Sequence, residues 1–244
     1  MCWNVEASVA VVALGGAAAV TTYRRKDAPA IWITLGFFTL MEGLQVWGYL
    51  VLDQCGTPAN RSATVASYLH IAVQPFFINA FAMELVPASV KRKVRVWVYG
   101  ACVAATAIML VKILPLPALG SCLPGSPLCA ENWCTVAGDW HIAWDVPYNG
   151  LTVPLERFFG IYPGFPAYMI AAFGVPLLYG AWRFVAVHAV AGPILATALT
   201  TNPNEMPAIW CLFSVTIILI SLSPAIRKKV ATDRWWGRRV FGET

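Results

Sequence analysis

Residues 7–26 read ASVAVVALGGAAAVTTYRRK, an uncharged and mostly apolar run that ends in three consecutive basic residues. An apolar run followed by Lys and Arg is typical of a membrane-spanning helix whose basic flank stays in the cytoplasm. A cleavable signal peptide would carry its basic residues before the apolar run. The sequence therefore predicts a retained first helix with its amino end outside the cell.

The same pattern continues, because six further apolar runs are separated by segments that alternate between basic-rich and basic-poor. The predicted spans are 7–22, 29–52, 65–85, 94–114, 162–182, 184–200 and 207–223. Crossing the hydrocarbon core takes about 20 helical residues, so the first and sixth runs are short. Fourteen Lys and Arg lie on one predicted side of the membrane, and three lie on the other: Arg61, Lys112 and Arg157.

This charge distribution predicts an all-α integral membrane protein, a seven-transmembrane-helix bundle with the N-terminus outside and the C-terminus in the cytoplasm. Residues 1–226 would form the transmembrane domain, with a long, cysteine-containing exterior cap loop at 115–161 between helices four and five. Residues 227–244 would form a basic, Trp-containing cytoplasmic tail at the membrane surface. The bacterial inner membrane is the expected location.

The composition also requires lipid as a solvent, because 59% of the 244 residues are hydrophobic and only 12% are charged. The net charge of +5 comes from short clusters beside the predicted spans. Such clusters favour anionic lipid head groups at the cytoplasmic face as partners, rather than nucleic acid. A membrane protein partner or a homo-oligomer remains open.

Four cysteines lie in the predicted exterior segments: Cys55, Cys122, Cys129 and Cys134. In an oxidising compartment they are disulfide candidates, with three possible connectivities if all four pair. A metal site formed by the last three cysteines and His141 is the rival interpretation. Zinc ligands usually come in pairs two to four residues apart, and these spacings do not match, so disulfides are favoured and no metal is predicted. Cys2 is left over.

The predicted cap loop contains three Trp residues, His141 and Asp145. Long loops are usually functional or disordered, and the cysteines and Trp residues argue against disorder. The loop could cover the exterior mouth of the bundle and present His141 and Asp145 there. The alternative is that its Trp residues only form an aromatic belt at the membrane interface.

Polar side chains inside the second and third predicted spans form the candidate ligand-binding or ion-binding set. Glu42 lies midway along the second span, where a carboxylate is costly unless it is paired or hydrated. Helical spacing places it on a polar stripe that faces the bundle interior, and the third span carries a matching stripe. The set comprises Glu42, Gln45, Tyr49, His70, Gln74 and Asn79. The alternative is that these groups only hold helices together.

A weak internal echo relates residues 70–80 to 188–198, since both begin with His and place Pro five positions later. The echo would suit the inverted repeats of secondary transporters, and chance matching explains it equally well. His188 itself is predicted to be a satisfied histidine near the end of its helix.

Three segments carry a resemblance to a known family: Met1-Cys2-Trp3-Asn4, the run from Tyr68 through His70-Ile71 and Gln74-Pro75-Phe76-Phe77-Ile78-Asn79, and His141-Ile142-Ala143-Trp144. They resemble a family of bacterial-type multi-pass membrane proteins that has no assigned activity. The resemblance implies a membrane protein and carries over no function.

Several functions are disfavoured directly. A retinal protein needs a lysine in its last helix, and the seventh predicted span has none. There is no nucleotide-binding loop and no serine-hydrolase motif. Three classes remain: a small-molecule or ion-binding protein or transporter with a buried polar pocket, a membrane-embedded enzyme of the metal-dependent or oxidoreductase kind, and an accessory subunit. The cofactor is unknown.

Overall fold

The computed structural model describes residues 3–159, 165–235 and 238–239, and most of them are helical. In chain order the elements are α1 (Val5–Arg24), α2 (Pro29–Leu50), α3 (Pro58–Ala82), α4 (Ala88–Lys112), β1 (Cys134–Ala137), β2 (Ile142–Asp145), α5 (Val153–Phe159), α6 (Pro166–Leu178), α7 (Trp182–Leu199), α8 (Met206–Leu222), α9 (Pro224–Val230), β3 (Arg234–Trp235) and β4 (Arg238–Arg239). A 3₁₀ turn at Met83–Leu85 continues α3.

The helix ends follow local chemistry. Asn4 caps α1 by accepting a hydrogen bond from the backbone N–H of Ala7, and Thr57 caps α3 in the same way. α2, α3 and α6 begin with Pro, whose missing N–H costs nothing in the first turn. Gly180, with φ of 96°, follows α6 and allows the chain to turn directly into α7.

Five helices of the described part are long and apolar enough to cross a membrane: α1, α2, α3 with its 3₁₀ turn, α4 and α7. This supports the predicted membrane protein. α8 meets the same test only together with α9, to which it is bent by 109°. α6 is shorter and covers only about 20 Å. The fifth predicted span began at residue 162, which lies outside the described residues.

The bundle is built by sequential packing. α1 lies against α2 and α8, α2 lies against α3, and α3 lies against α4 and α6. The buried core runs through these contacts and includes Met41, Ile78 and Phe184. The bundle therefore places α2, α3, α6, α7 and α8 around its interior.

The expectation of an all-α fold is wrong in the cap. β1 and β2 form an antiparallel hairpin that pairs Cys134 with Asp145 and Ala137 with Ile142, and α5 follows it. Thr135 and Val136 in β1 and Ile142 and Trp144 in β2 are β-branched or aromatic, and Gly138 lies in the turn, which favours a hairpin. The hairpin is docked on the bundle by Asn60, whose side chain bonds the backbone N–H and C=O of Thr135.

The four cysteines that were predicted to be exterior form two pairs at disulfide distance, Cys55 with Cys134 and Cys122 with Cys129. These pairs agree with the predicted disulfides in one of the three connectivities. The three cysteines of the rival metal grouping all take part in these pairs. Cys102 and Cys211 are free and buried, and Cys2 lies outside the described residues.

The opposite end of the bundle is held by two arginines. Arg25 and Arg227 both donate to the Ser221 carbonyl at the end of α8, and Asp27 forms ion pairs with both arginines. The hydrogen bond from Arg227 is the main cause of a lowered pKa of Asp27, and burial opposes it. These contacts fix the start of α9 against the loop between α1 and α2.

Candidate functional site

Three helices depart from regular α geometry near one buried side chain, His188. α6 contains a π turn at Ile170–Gly174, α7 contains one at Val190–Ile194, and α8 is interrupted after Trp210. Pro193 lies in the second π turn and cannot donate a backbone hydrogen bond, which favours irregular winding there. π turns inside helices occur frequently at functional sites.

His188 is fully buried, and its ring lies between Phe173 and Phe213 at centroid distances of 4.3 and 4.0 Å. The indole N–H of Trp210 donates to His188 Nε2 over 3.0 Å. Because Nε2 accepts, a neutral ring carries its proton on Nδ1, which has no hydrogen-bond partner among the described residues. Gly192 permits this arrangement, since a Cβ there would overlap the indole.

Two adjoining cavities lie beside this group, an inner cavity of about 40 Å³ and an outer cavity of about 190 Å³. Both are lined by Phe165, Tyr168, Pro207 and Trp210. The inner cavity also contacts Gln74 and His188, and the outer cavity also contacts Met169, Ala196 and Thr197. The walls are mostly aromatic and aliphatic, so the space suits an apolar occupant.

Of the six residues predicted as a ligand-binding set, Gln74 lines the inner cavity. Its Oε1 accepts a hydrogen bond from the Tyr168 hydroxyl over 2.7 Å, which ties α3 to α6. Tyr168 in turn meets Trp210 edge to face at a centroid distance of 5.5 Å.

Glu42 and Gln45 face α8. Ser214 donates to Glu42 Oε1 over 2.9 Å, and Gln45 Nε2 donates to the Ala208 carbonyl over 3.3 Å. Glu42 Oε2 and Gln45 Oε1 are buried and have no hydrogen-bond partner among the described residues. The space beside Glu42 is too small for a water molecule.

The remaining three predicted residues lie apart from the cavities. His70 Nε2 donates to the Phe37 carbonyl over 2.8 Å, and Asn79 donates to the Ala171 carbonyl over 2.8 Å. Tyr49 reaches the cap. The structure therefore distributes the predicted set over several contacts between elements, rather than around one polar pocket.

The register of α2 against α3 explains the difference. The Thr34 hydroxyl donates to the Phe77 carbonyl, so Asn79 lies near the first turns of α2. Asn79 and Glu42 therefore lie at different depths in the bundle. Sequence spacing alone gave no information on how far one helix is shifted along the other.

A buried carboxylate anchors the cap. Glu205 accepts hydrogen bonds from the backbone N–H groups of Asp139, Trp140 and His141 and from the Thr200 hydroxyl. Gly138 leaves the space for this contact, since a Cβ there would lie 2.7 Å from the Glu205 carboxyl carbon. The sequence interpretation missed this role of Glu205.

The two cap residues predicted to face the exterior make inward contacts. His141 is fully buried, and its Nδ1 accepts from the Ile142 N–H over 2.7 Å and from the Tyr49 hydroxyl over 3.3 Å. Burial lowers the pKa of His141 to about 3. Burial raises the pKa of Asp145, and a hydrogen bond from Asn204 opposes that shift.

A second buried pair holds the cap to α4. Lys112 Nζ lies 3.6 Å from Glu156 Oε1 and donates to the Thr152 hydroxyl over 2.8 Å. It also lies 4.1 Å from the centre of the Tyr148 ring. In the part of the chain that the structure describes, no group of three His, Cys, Asp or Glu residues is placed to hold a metal ion.

Sequence reasoning missed the importance of His188, Tyr168 and Trp210. The available signal was the spacing of His188 and Pro193, which was interpreted as a repeat. The two segments of this echo fold differently: residues 70–75 are α-helical, whereas a π turn follows His188.

Long apolar helices around an internal cavity define a helical membrane protein. The chain belongs to the family of unknown function DUF5765, whose sequence model matches residues 6–231. No curated protein and no solved structure matches the chain. Membership of a family without an assigned function agrees with the expected resemblance.

Proposed function

We propose that this protein binds a small, apolar, membrane-soluble molecule in the outer cavity between α6, α7 and α8. The observation that carries the proposal is the apolar cavity of about 190 Å³ beside Trp210. An apolar protein cavity of about 150 Å³ can hold benzene, so this space is large enough for a compact ring.

Entry from the lipid side fits the lining of the cavity. Thr197 is exposed on α7 and Met169 is partly exposed on α6, and both contact the outer cavity. Glu205, Lys112 and the disulfide between Cys55 and Cys134 hold the exterior cap against the bundle. A ligand that dissolves in the bilayer would reach the cavity between α6 and α7.

Seven crossings with an exterior N-terminus are part of the proposal. The residues flanking α6 support a crossing, because Phe165 packs against Tyr148 of the cap and Gly180 accepts a hydrogen bond from Thr232 after α9. α8 likewise begins beside the cap at Asn204 and ends at the arginines that hold Ser221. The basic residues at that end would face a bacterial cytoplasm and its anionic lipids.

Proton-linked or ion-linked transport is a second candidate function. It is favoured by one carboxyl oxygen of Glu42 and the amide oxygen of Gln45, which are buried beside α8 and have no hydrogen-bond partner among the residues that the structure describes. Unsatisfied polar atoms inside a membrane bundle are costly and often mark ion pathways.

Benzene is the first probe for the cavity. Its binding should raise the unfolding temperature of the purified protein in detergent in a concentration-dependent way. Ala196→Leu should abolish this shift, because Ala196 is buried and lines the outer cavity. Ala198→Leu is the matched control, since Ala198 lies exposed on the same helix. Absence of any shift in the wild type, or an equal shift in both variants, would contradict the proposal.

A further inference from the structure

We propose that Trp210 sets the upper size limit of the ligand by forming a wall between the two cavities, and that His188 holds this wall in place. The inference rests on the proposed function, since it concerns the same site. It assigns a specificity-determining role to Trp210 and a positioning role to His188.

Trp210 is placed to separate the cavities because it lines both of them. The other shared residues are Phe165, Tyr168 and Pro207. Tyr168 is fixed by its hydrogen bond to Gln74, and Pro207 has a rigid ring in the first turn of α8. The Trp210 indole is held by its hydrogen bond to His188 Nε2 and by ring contacts with Tyr168 and Phe173.

The surrounding backbone supports movement of this side chain. α8 changes winding directly after Trp210, where Cys211 and Leu212 donate to the carbonyls three residues earlier, over 3.1 and 3.0 Å. The facing segment is the π turn of α7, which contains Gly192 against the indole. Interruptions of this kind are common where a helix must adopt more than one arrangement.

The chemical consequence is a ligand class limited by length. A single ring fits the outer cavity with the indole in place. A molecule of two linked rings would also need the inner cavity, and reaching it requires the indole to leave His188. The lost hydrogen bond would weaken binding of the longer molecule by up to about tenfold.

Benzene and biphenyl test this difference, each measured by the concentration dependence of the unfolding temperature. His188→Phe keeps an aromatic ring between Phe173 and Phe213 but removes the acceptor. It should strengthen biphenyl binding relative to benzene binding by several-fold to about tenfold. Trp210→Phe should strengthen biphenyl binding at least as much, since the smaller phenyl ring also separates the two cavities less completely.

Two further variants separate positioning from a general effect on packing. His188→Gln retains an acceptor for the indole and should restore weak biphenyl binding. Trp97→Phe, at a Trp on α4 that is 42% exposed, should leave both probes unchanged. Biphenyl binding that stays at the wild-type level in both His188→Phe and Trp210→Phe would overturn the inference while leaving the proposed function intact. Absence of benzene binding in the wild type would overturn both.

Discussion

His141 is a neutral imidazole enclosed by Trp3, Trp140 and Tyr49, and its burial couples the cap to pH. Its folded pKa of about 3 lies below the usual value near 6.5. The unfolded chain therefore binds more protons than the folded chain between these values. The contribution of neutral, buried His141 to the free energy of unfolding is therefore complete above about pH 6.5 and is lost as the pH falls toward 3.

We expect the unfolding temperature of the wild type to fall between pH 7 and 4.5. A single titrating residue can change the free energy of unfolding by no more than about 1.4 kcal/mol per pH unit. In His141→Asn the amide oxygen can replace Nδ1 as the acceptor, but the amide does not titrate. The part of the pH dependence of stability that comes from His141 should therefore vanish. The raised pKa of Asp145 acts in the opposite direction and is present in both proteins, so the difference between the two curves reports His141. Superimposable curves would show that His141 does not titrate on unfolding.

Glu42 gives a second test at the residue scale. Glu42→Gln keeps an acceptor for Ser214 and should fold, whereas Glu42→Leu leaves that hydroxyl without a partner and should cost about 1–3 kcal/mol. The cost of Glu42→Leu should shrink in a Ser214→Ala background. If the second candidate function holds, Glu42→Gln should also abolish proton-coupled uptake or binding. An equal loss of stability in the Gln and Leu variants would contradict the assigned contact.

At the scale of the elements, the two disulfides differ in the length of chain that each one closes. Cys55 and Cys134 are 79 residues apart, and Cys122 and Cys129 are 7 apart. Chain entropy gives the longer link about 4.5 kcal/mol and the shorter one about 2.4 kcal/mol.

Replacing Cys55 and Cys134 together by Ser should therefore lower the unfolding temperature more than replacing Cys122 and Cys129. Non-reducing mass spectrometry of the wild type should yield the two linked peptide pairs. Peptides linked in any other combination would contradict the connectivity, and equal losses of stability would contradict the entropic argument.

Much of the helical pattern was predictable because apolar runs and basic flanks reflect the solvent of each segment. α1 and α4 follow it closely. The hairpin was not predicted, because its strands are only four residues each and lie in a segment that also contains Pro, Gly and Cys. Of the residues that line the inner cavity, Gln74 had been selected from its polarity. Trp210 and His188 depend on how α7 and α8 pack, and sequence periodicity does not encode that.

For the molecule as a whole, the orientation is testable with exposed positions at its two ends. In a Cys2→Ser background, a membrane-impermeant maleimide should label Ala59→Cys in intact cells and should label Ala88→Cys only after lysis. Both positions are exposed, whereas the neighbouring Asn60 is buried and holds the hairpin. The reverse labelling pattern would place the basic residues outside and contradict the topology.

The attachment of the cap has a kinetic consequence. Because the hairpin is tied to α2, α3 and the start of α8, it cannot swing away without breaking a disulfide or several buried hydrogen bonds. Exchange of an occupant would then be governed by its concentration in the bilayer. Two molecules that fit the cavity equally well and are equally concentrated in water would differ in apparent association rate by the ratio of their membrane–water partition coefficients, because the protein would take its ligand from the lipid phase.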